Sequence, residues 1–338
     1  MTNAGIVKIA PAATDSPMEP AVRAMFSSST VPLNARRHAI GQARNRQASF
    51  ETALAHLARN ILEHDFRGVQ PRHATELALG ALLDGCRLII AVGGDGTVNE
   101  ALNGMLDPAG RLTAADGVLC PVPNGTANEL CRALGHLARP GLAFDAAAST
   151  ATRPIDLLRV RCTGLDGSTV DRFGYLIVAL GLAATVSYRT SQSRWLKKLG
   201  GISYFLMSPP VILGYRPRPI AITIDGVKQA PRRISTAMVG NTENGGGGMR
   251  LIPGAKFDDG MLDLIEMGDV APFTMLTRVL PKVYSGDHVH HPQVSTGRGT
   301  SFRFESDVET LVDLDGETIG RLPLEVSVIP RGFSVGAS

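Results

Sequence analysis

The feature that most constrains this chain is Val92-Gly93-Gly94-Asp95-Gly96-Thr97-Val98-Asn99-Glu100, which closes the largely apolar run Arg87–Val92 and opens a helical pattern from Thr97 to Met105. A short apolar run bounded by glycine reads as a buried strand. Glycines, having no Cβ, let backbone N–H groups approach an anion while the following helix presents its positive end. A phosphate suits such a turn. Asp95 would repel a bare triphosphate, so a magnesium ion, its water or a hydroxyl proton is expected between carboxylate and phosphate. The plain structural reading is a tight turn with Asp95 as a helix cap, but three glycines around one acid exceed what a cap needs. No Lys-Ser/Thr pair follows, so this is not a Walker A loop, and the spacing is not that of the dinucleotide fingerprint.

One strand and helix later, Gly117–Pro121 and the helical stretch Ala127–Leu134 flank a second turn, Pro123-Asn124-Gly125-Thr126-Ala127-Asn128-Glu129. Two successive turns of this kind would offer donors from Gly96, Thr97, Gly125 and Thr126 to one ligand at neighbouring strand ends, where open α/β sheets bind. Helical spacing also runs through Leu54, Leu57, Ile61 and Leu62, and again over Thr75–Leu83 before Gly85. Strand alternating with helix predicts a parallel α/β layer.

After Arg153-Pro154 the texture changes. Runs at Ile155–Arg161, Tyr175–Leu180, Pro219–Ile224, Ile234–Val239, Met261–Glu266, Ser301–Glu305, Glu309–Leu314 and Leu324–Ile329 are short and broken by Gly, Pro and Asp, predicting antiparallel β-structure. Helices are expected at Trp195–Met207 and Pro272–Tyr284. Residues 1–29, rich in proline and small residues, are expected to form a flexible tail outside the fold. The organisation expected is thus a tail, an α/β domain over 30–154 and a β-domain over 155–338, with the last residues returning to the first domain.

The 338 residues are 44% hydrophobic and 19% charged, which excludes disorder as the main theme. Lys+Arg of 34 against Asp+Glu of 31 gives a net charge of +3 without a dense basic block, which disfavours nucleic acid as a partner. Cys86, Cys120, Cys131 and Cys162 lie singly, no signal peptide pattern is visible, and a reducing cytoplasm is the expected compartment. The longest apolar stretch, Phe173–Val186, is too short to span a bilayer and reads as a buried strand pair.

Four co-linear segments carry a family resemblance: Gly93-Gly-Asp-Gly-Thr-Val-Asn-Glu-Ala-Leu-Asn-Gly104; Pro123-Asn-Gly-Thr-Ala-Asn-Glu-Leu-Cys-Arg132; Gly246-Gly-Gly-Met-Arg-Leu-Ile-Pro-Gly-Ala-Lys-Phe-Asp-Asp-Gly-Met-Leu-Asp263; and Asp315-Gly-Glu317. Over about Val31–Val328 the chain resembles the diacylglycerol kinase catalytic-domain family, which includes bacterial soluble lipid kinases, sphingosine kinases and ceramide kinases. The resemblance implies an N-terminal three-layer α/β nucleotide-binding domain like that of NAD kinases, then a C-terminal β-sandwich, with the active site in the cleft. It implies ATP-dependent phosphorylation of a lipid hydroxyl, with Mg2+.

Carried onto this sequence, the resemblance implies nucleotide contacts from Asn34, Gly93, Gly94, Asp95, Gly96, Thr97, Val98, Asn99, Glu100, Gly125 and Thr126. Asp95 would sit at the heart of a carboxylate, water and magnesium network. Glu317 matches the position of the base that takes the lipid hydroxyl proton, although Asp95 is also a candidate for that role. A structural magnesium site would use Asp258, the Met261 carbonyl and Asp263, with Asp259 directed toward the cleft; the alternative for this loop is a hairpin turn with solvated acids. Three positions depart from the family pattern: Asn34 is followed by Ala35-Arg36-Arg37, an expected threonine is replaced near Gly68, and Glu129 stands where an aspartate is usual.

His288, His290 and His291 precede Pro292 without accompanying Cys or paired acids, and a solvated loop is expected rather than a metal site. The single Trp195 lies with Arg194, Lys197 and Lys198 in a stretch that either meets a membrane surface or packs on the sandwich. The expected activity is that of a lipid kinase acting at the inner face of a membrane, with diacylglycerol as first acceptor and ceramide or a sphingoid base second. Two rivals stand beside it: a soluble metabolite kinase of the NAD kinase type, and a non-catalytic lipid-binding module. Oligomeric state is open, a homodimer being one arrangement.

Overall fold

Glycine punctuation and apolar patterning resolve, in a computed structural model that describes residues 5–9, 65–67, 73–137, 143, 146, 151–193 and 202–337, into two units. The first comprises Met1–Gly125, Leu134–Arg153 and Ser334–Ser338, the second Thr126–Ala133 and Pro154–Phe333.

In the first unit the strands are β1 (Gly5–Ile9), β2 (Asp65–Arg67), β3 (Leu88–Gly93) and β4 (Val118–Pro123), and the helices α1 (His73–Leu83) and α2 (Asp95–Met105). β3 and β4 run parallel, in register from Leu88↔Val118 to Gly93↔Pro123. Both are apolar on both faces, as a sheet covered on both sides requires, with Ile89, Ile90, Ala91, Leu119, Cys120 and Val122 buried. The chain's end joins this sheet: Ser334 and Val335 pair in parallel with Val118 and Leu119. Helix α2 begins at Asp95, two residues earlier than the apolar spacing suggests. It packs on α1 so closely that a Cβ on Gly104 would meet the Thr75 carbonyl oxygen at 2.2 Å.

The expectation that residues 1–29 stay outside the fold is corrected in one part: Gly5–Ile9 pairs antiparallel with both β2 and β3. The pentapeptide Gly-Ile-Val-Lys-Ile contains three β-branched residues, short for a periodicity signal but well suited to a strand. The expected helix over Leu54–Leu62 lies outside the described residues.

The second unit is built of antiparallel strands. Leu262–Met267, Thr236–Gly240, Ile177–Gly181, Leu311–Leu314 and Glu317–Gly336 are successive neighbours, and Ser301–Glu305 joins the last of these to Arg218–Ile224. Leu158, Val160, Ile220, Ile222, Phe302 and Phe304 are among the buried residues of one continuous core. The expected run Ile234–Val239 is divided at Ser235 into Arg232–Ile234 and Thr236–Gly240.

Phe173–Val186 is not a strand pair. It contains the end of one strand, the strand Ile177–Gly181 and the start of helix α4 (Leu182–Gln192), after the second unit's short helix α3 (Glu129–Ala133). Gly181, at φ 78°, turns strand into helix where a run of apolar residues shows no break. Residues 194–201 lie outside the described residues; helix α5 spans Ile202–Gly214 and continues through Pro209 and Pro210. The helix expected over Pro272–Tyr284 is an α-turn at Pro272–Thr274, a π-turn at Met275–Val279 and a 3-10 turn at Leu280–Val283.

Candidate active site

The first glycine turn connects β3 to α2. Gly94 occupies the N-cap without a capping side chain, and the first intrahelical bond runs from the Val98 N–H to the Gly94 carbonyl at 3.1 Å. The helix's leading N–H groups and the positive end of its dipole therefore face the turn, with Asp95 half-buried in the first helical turn. A Cβ on Gly93 would stand 2.5 Å from Thr97 Oγ1, so the Thr97 side chain folds back over a position that only hydrogen can fill.

The second turn lies against the first. Asn124 donates its N–H to the Gly93 carbonyl at 3.0 Å, and a Cβ on Gly94 would stand 3.2 Å from the Gly125 Cα. Parallel pairing of β3 and β4 thus brings Gly93, Gly94 and Gly125 together at the carboxyl ends of adjacent strands, a place where a polyanion would meet backbone donors rather than side chains.

The remaining residues of the nucleotide set divide. Gly96 and Thr126 are exposed, and Val98 is core, 2% accessible. Asn99 is buried, and its side-chain and main-chain oxygens both accept from Asn103 Nδ2, at 3.0 and 2.9 Å. Glu100 accepts from the Ala74 N–H at 3.3 Å, so it caps α1. Asn34 and Gly68 lie outside the described residues.

Within the second unit, Glu129 follows the second glycine turn and is 3% accessible. Its Oε1 accepts from the N–H groups of Gly247 at 2.7 Å and Gly248 at 2.8 Å, and its Oε2 pairs with Arg132 Nε at 3.1 Å. Gly246, Gly247 and Gly248 all have positive φ, of 60°, 92° and 92°. Such a backbone aims consecutive N–H groups into one concavity, and Glu129 fills it. The extra methylene of Glu over Asp supplies reach.

The acidic turn at Asp315-Gly316-Glu317, with Asp313 just before it, holds three acids in three environments. Asp315 accepts from three main-chain N–H groups, those of Tyr175, Leu176 and Ile177, at 3.1, 3.1 and 3.0 Å. Glu317 is half exposed and pairs with Arg172 at 3.3 Å. Asp313 is buried: it accepts from Gly316 N–H at 2.8 Å and lies 2.6 Å from Ser187 Oγ on α4. Burial is the main cause pushing its carboxyl up to about 7, with the neighbouring charges of Asp315 and Glu317 adding to it. In its protonated form it donates to Ser187, which in turn donates to the Gly316 carbonyl at 3.2 Å. Asp313 is not among the residues that the motifs single out; its alternation with Asp315 and Glu317 along one strand and turn is the signal that points to it.

The loop carrying Asp258, Met261 and Asp263 is moored by buried Asp156, which accepts from Gly260 N–H at 2.6 Å and Arg331 N–H at 2.7 Å. Asp259 pairs with Arg298 and accepts from Met261 N–H at 3.2 Å. Arg298 also approaches Asp263 Oδ1 at 3.5 Å, while Asp263 Oδ2 is buried without a hydrogen-bond partner. Burial raises the Asp263 carboxyl above its ordinary range, against the pull of Arg298. An orphaned carboxylate oxygen is the kind of hard donor that suits a magnesium ion completed by water. Among the described residues, however, no three His, Cys, Asp or Glu side chains converge on one point.

His288 corrects the solvated-loop expectation. It is 1% accessible, its Nε2 lies 3.2 Å from the Leu251 carbonyl, and burial lowers its pKa. The 3-10 turn Asp287–His290 after Gly286 folds the ring inward. Among the described residues no helix is long and apolar enough to cross a membrane.

Comparison with known proteins bears on the whole arrangement. Residues 39–160 match the diacylglycerol kinase catalytic domain, and residues 176–337 the YegS C-terminal NAD kinase beta sandwich-like domain. The chain is 30% identical over 265 residues to a diacylglycerol kinase of Bacillus subtilis, covering 78% of this chain and 81% of that one. It is 29% identical over 269 residues to a diacylglycerol kinase of Mycobacterium tuberculosis, covering 79% and 82%. The fold is shared with a crystal structure of a diacylglycerol kinase from Bacillus anthracis, with a TM-score of 0.60 at 22% identity over 85% of this chain and 88% of that one.

Proposed function

Because the chain belongs to the diacylglycerol kinase family and is a lipid kinase, we propose that it transfers the γ-phosphoryl group of ATP to the hydroxyl of a membrane lipid alcohol. Diacylglycerol is the first acceptor, ceramide or a sphingoid base the second. The observation that carries this reading is the adjacency of the two glycine turns, whose backbone donors and helix dipole suit the phosphates of a nucleotide.

In the reaction the acceptor oxygen attacks the γ-phosphorus in line, the bond to the β,γ-bridging oxygen breaks, and ADP leaves. Glu317, exposed and oriented by Arg172, takes the hydroxyl proton; Asp315 fixes the turn that presents it. Asp95 is the residue of the first turn that would hold magnesium, which when bound neutralises charge on the phosphates. Asp258, Asp263 and the Met261 carbonyl would hold a second, structural magnesium. Acids of the acidic turn are already committed to backbone, arginine or serine partners, which favours a neutral acceptor over an ammonium-bearing sphingoid base.

The test is labelled ATP and magnesium offered in parallel to diacylglycerol, ceramide, sphingosine and NAD in mixed micelles. Label is expected in phosphatidic acid first and in ceramide phosphate second. Transfer to NAD alone, or to none of the lipids, overturns the proposal.

A further inference from the structure

Most of the large apolar side chains of the second unit are buried, but helix α5 breaks that pattern. Its Met207, Val211 and Ile212, with Tyr215 just after its end, pack into a small core with Leu182, Val186 and Met275, while Leu206 (48% accessible), Pro210 and Leu213 (65%) lie on the opposite face. Residues 206, 210 and 213 are spaced by four and three, so they form one stripe.

A second exposed apolar group stands beside it. The turn Pro272–Thr274 packs against α5 and carries Phe273, 76% accessible, the most exposed large apolar side chain among the described residues. Ile212 and Pro272 both line a pocket of about 230 Å³, so the segments that carry Leu213 and Phe273 come together around it. Arg216 and Arg233 line the same pocket, and the exposed Arg278 and Lys282 follow Phe273 along the helical run. The acid at this rim, Asp269, is neutralised by Arg233 at 2.8 Å.

We propose that this face, centred on Leu213 and Phe273, docks the enzyme on an anionic lipid bilayer. An apolar stripe edged by arginine and lysine is complementary to such a surface: the side chains enter the acyl boundary and the cations meet the lipid phosphates. A protein partner would need carboxylates placed to match Arg216, Arg278 and Lys282 around two apolar tips, whereas a bilayer adapts to any arrangement. The proposal rests on the reading that the acceptor is a membrane lipid, and it locates the surface through which that lipid is reached.

The experiment is co-sedimentation of the full chain, without ATP, with vesicles of phosphatidylcholine alone or mixed with phosphatidylglycerol. Wild type is expected to bind the mixed vesicles, and to bind them less as salt rises. Leu213→Ser with Phe273→Ser should lower partitioning at least about tenfold. Arg278→Ala with Lys282→Ala should lower it by about fivefold for each charge, and only on the mixed vesicles. All variants should phosphorylate a short-chain, water-soluble diacylglycerol at the wild-type rate, since none of these residues belongs to the site described above. Wild-type partitioning by both double variants overturns the proposal. So does a fall in oligomeric mass of the serine variant with vesicle binding unchanged, which would make the face a contact between two copies. Docking as expected with no phosphorylation of any acceptor would leave this inference standing and sink the kinase proposal instead.

Discussion

The glycine turns of the first unit and the acidic turn of the second solve the same problem, holding charge in place, with opposite materials. Around Gly93, Gly94 and Gly125 side chains are missing, and the turn presents main-chain N–H groups with one carboxylate, Asp95, in the first helical turn. Around Asp313, Asp315 and Glu317 side chains are crowded, and each carboxylate is given its own partner: serine, three main-chain amides, or arginine. Backbone donors are fixed by the fold and cost nothing to reorganise, which suits the constant shape of phosphates. Carboxylates can be tuned by burial, which suits proton transfer.

On that division, the largest single effect belongs to Asp95. Asp95→Asn removes the one charge of the first turn at nearly constant shape and should lower turnover about a hundred- to a thousandfold. Steady-state kinetics on a short-chain diacylglycerol checks it, and retention of more than about a third of the activity would remove Asp95 from the phosphate network.

Asp313→Asn sharpens the contrast from the other side. The Asp313 carboxyl is raised to about 7 from an ordinary value of 3.8, so the native state holds its proton over a window where the unfolded chain has lost it. Wild-type stability should therefore fall as pH rises from about 4 to about 7, by an amount on the order of a few kcal/mol. Asn mimics the protonated acid, donating to Ser187 and accepting from Gly316 N–H, and should lack this contribution. Thermal melts across pH measure it; parallel curves for the two proteins would contradict the buried, neutral Asp313.

Much of the first region is legible without coordinates. Absent side chains leave a trace in sequence, because a cluster of glycines where a strand meets a helix marks a place that has no room for a Cβ. The strand, turn and helix around Gly93–Thr97 and the nearness of the second turn follow from local pattern and parallel pairing. The second region is legible only in outline. Glu129 meets Gly247 and Gly248 across more than a hundred residues, and Asp313 meets Ser187 on a helix whose start is hidden inside the apolar run Phe173–Val186. Such pairs depend on tertiary packing, to which apolar periodicity is blind. His288 departs from its expected place for the same reason: its polar neighbours suggest solvent, and a tight turn supplies burial.

Smaller effects are expected where the glycines meet their supports. Glu129→Gln keeps an acceptor for the Gly247 and Gly248 amides but loses the charge facing Arg132, and should cost about 2 kcal/mol in denaturant unfolding. Gly94→Ala places a methyl group 3.2 Å from the Gly125 Cα, where backbone must yield. A loss of about 1 kcal/mol is expected, with weaker nucleotide binding. No change in either quantity would mean that the turns have slack.

The most direct measurement pairs magnesium-dependent ATP titration with lipid phosphorylation for Glu317→Gln beside wild type. Gln keeps the size and one acceptor oxygen but cannot take the proton, so ATP affinity should be unchanged while transfer to diacylglycerol falls about a hundredfold or more. Normal transfer with weakened ATP binding would contradict the division of labour and move Glu317 into the nucleotide site.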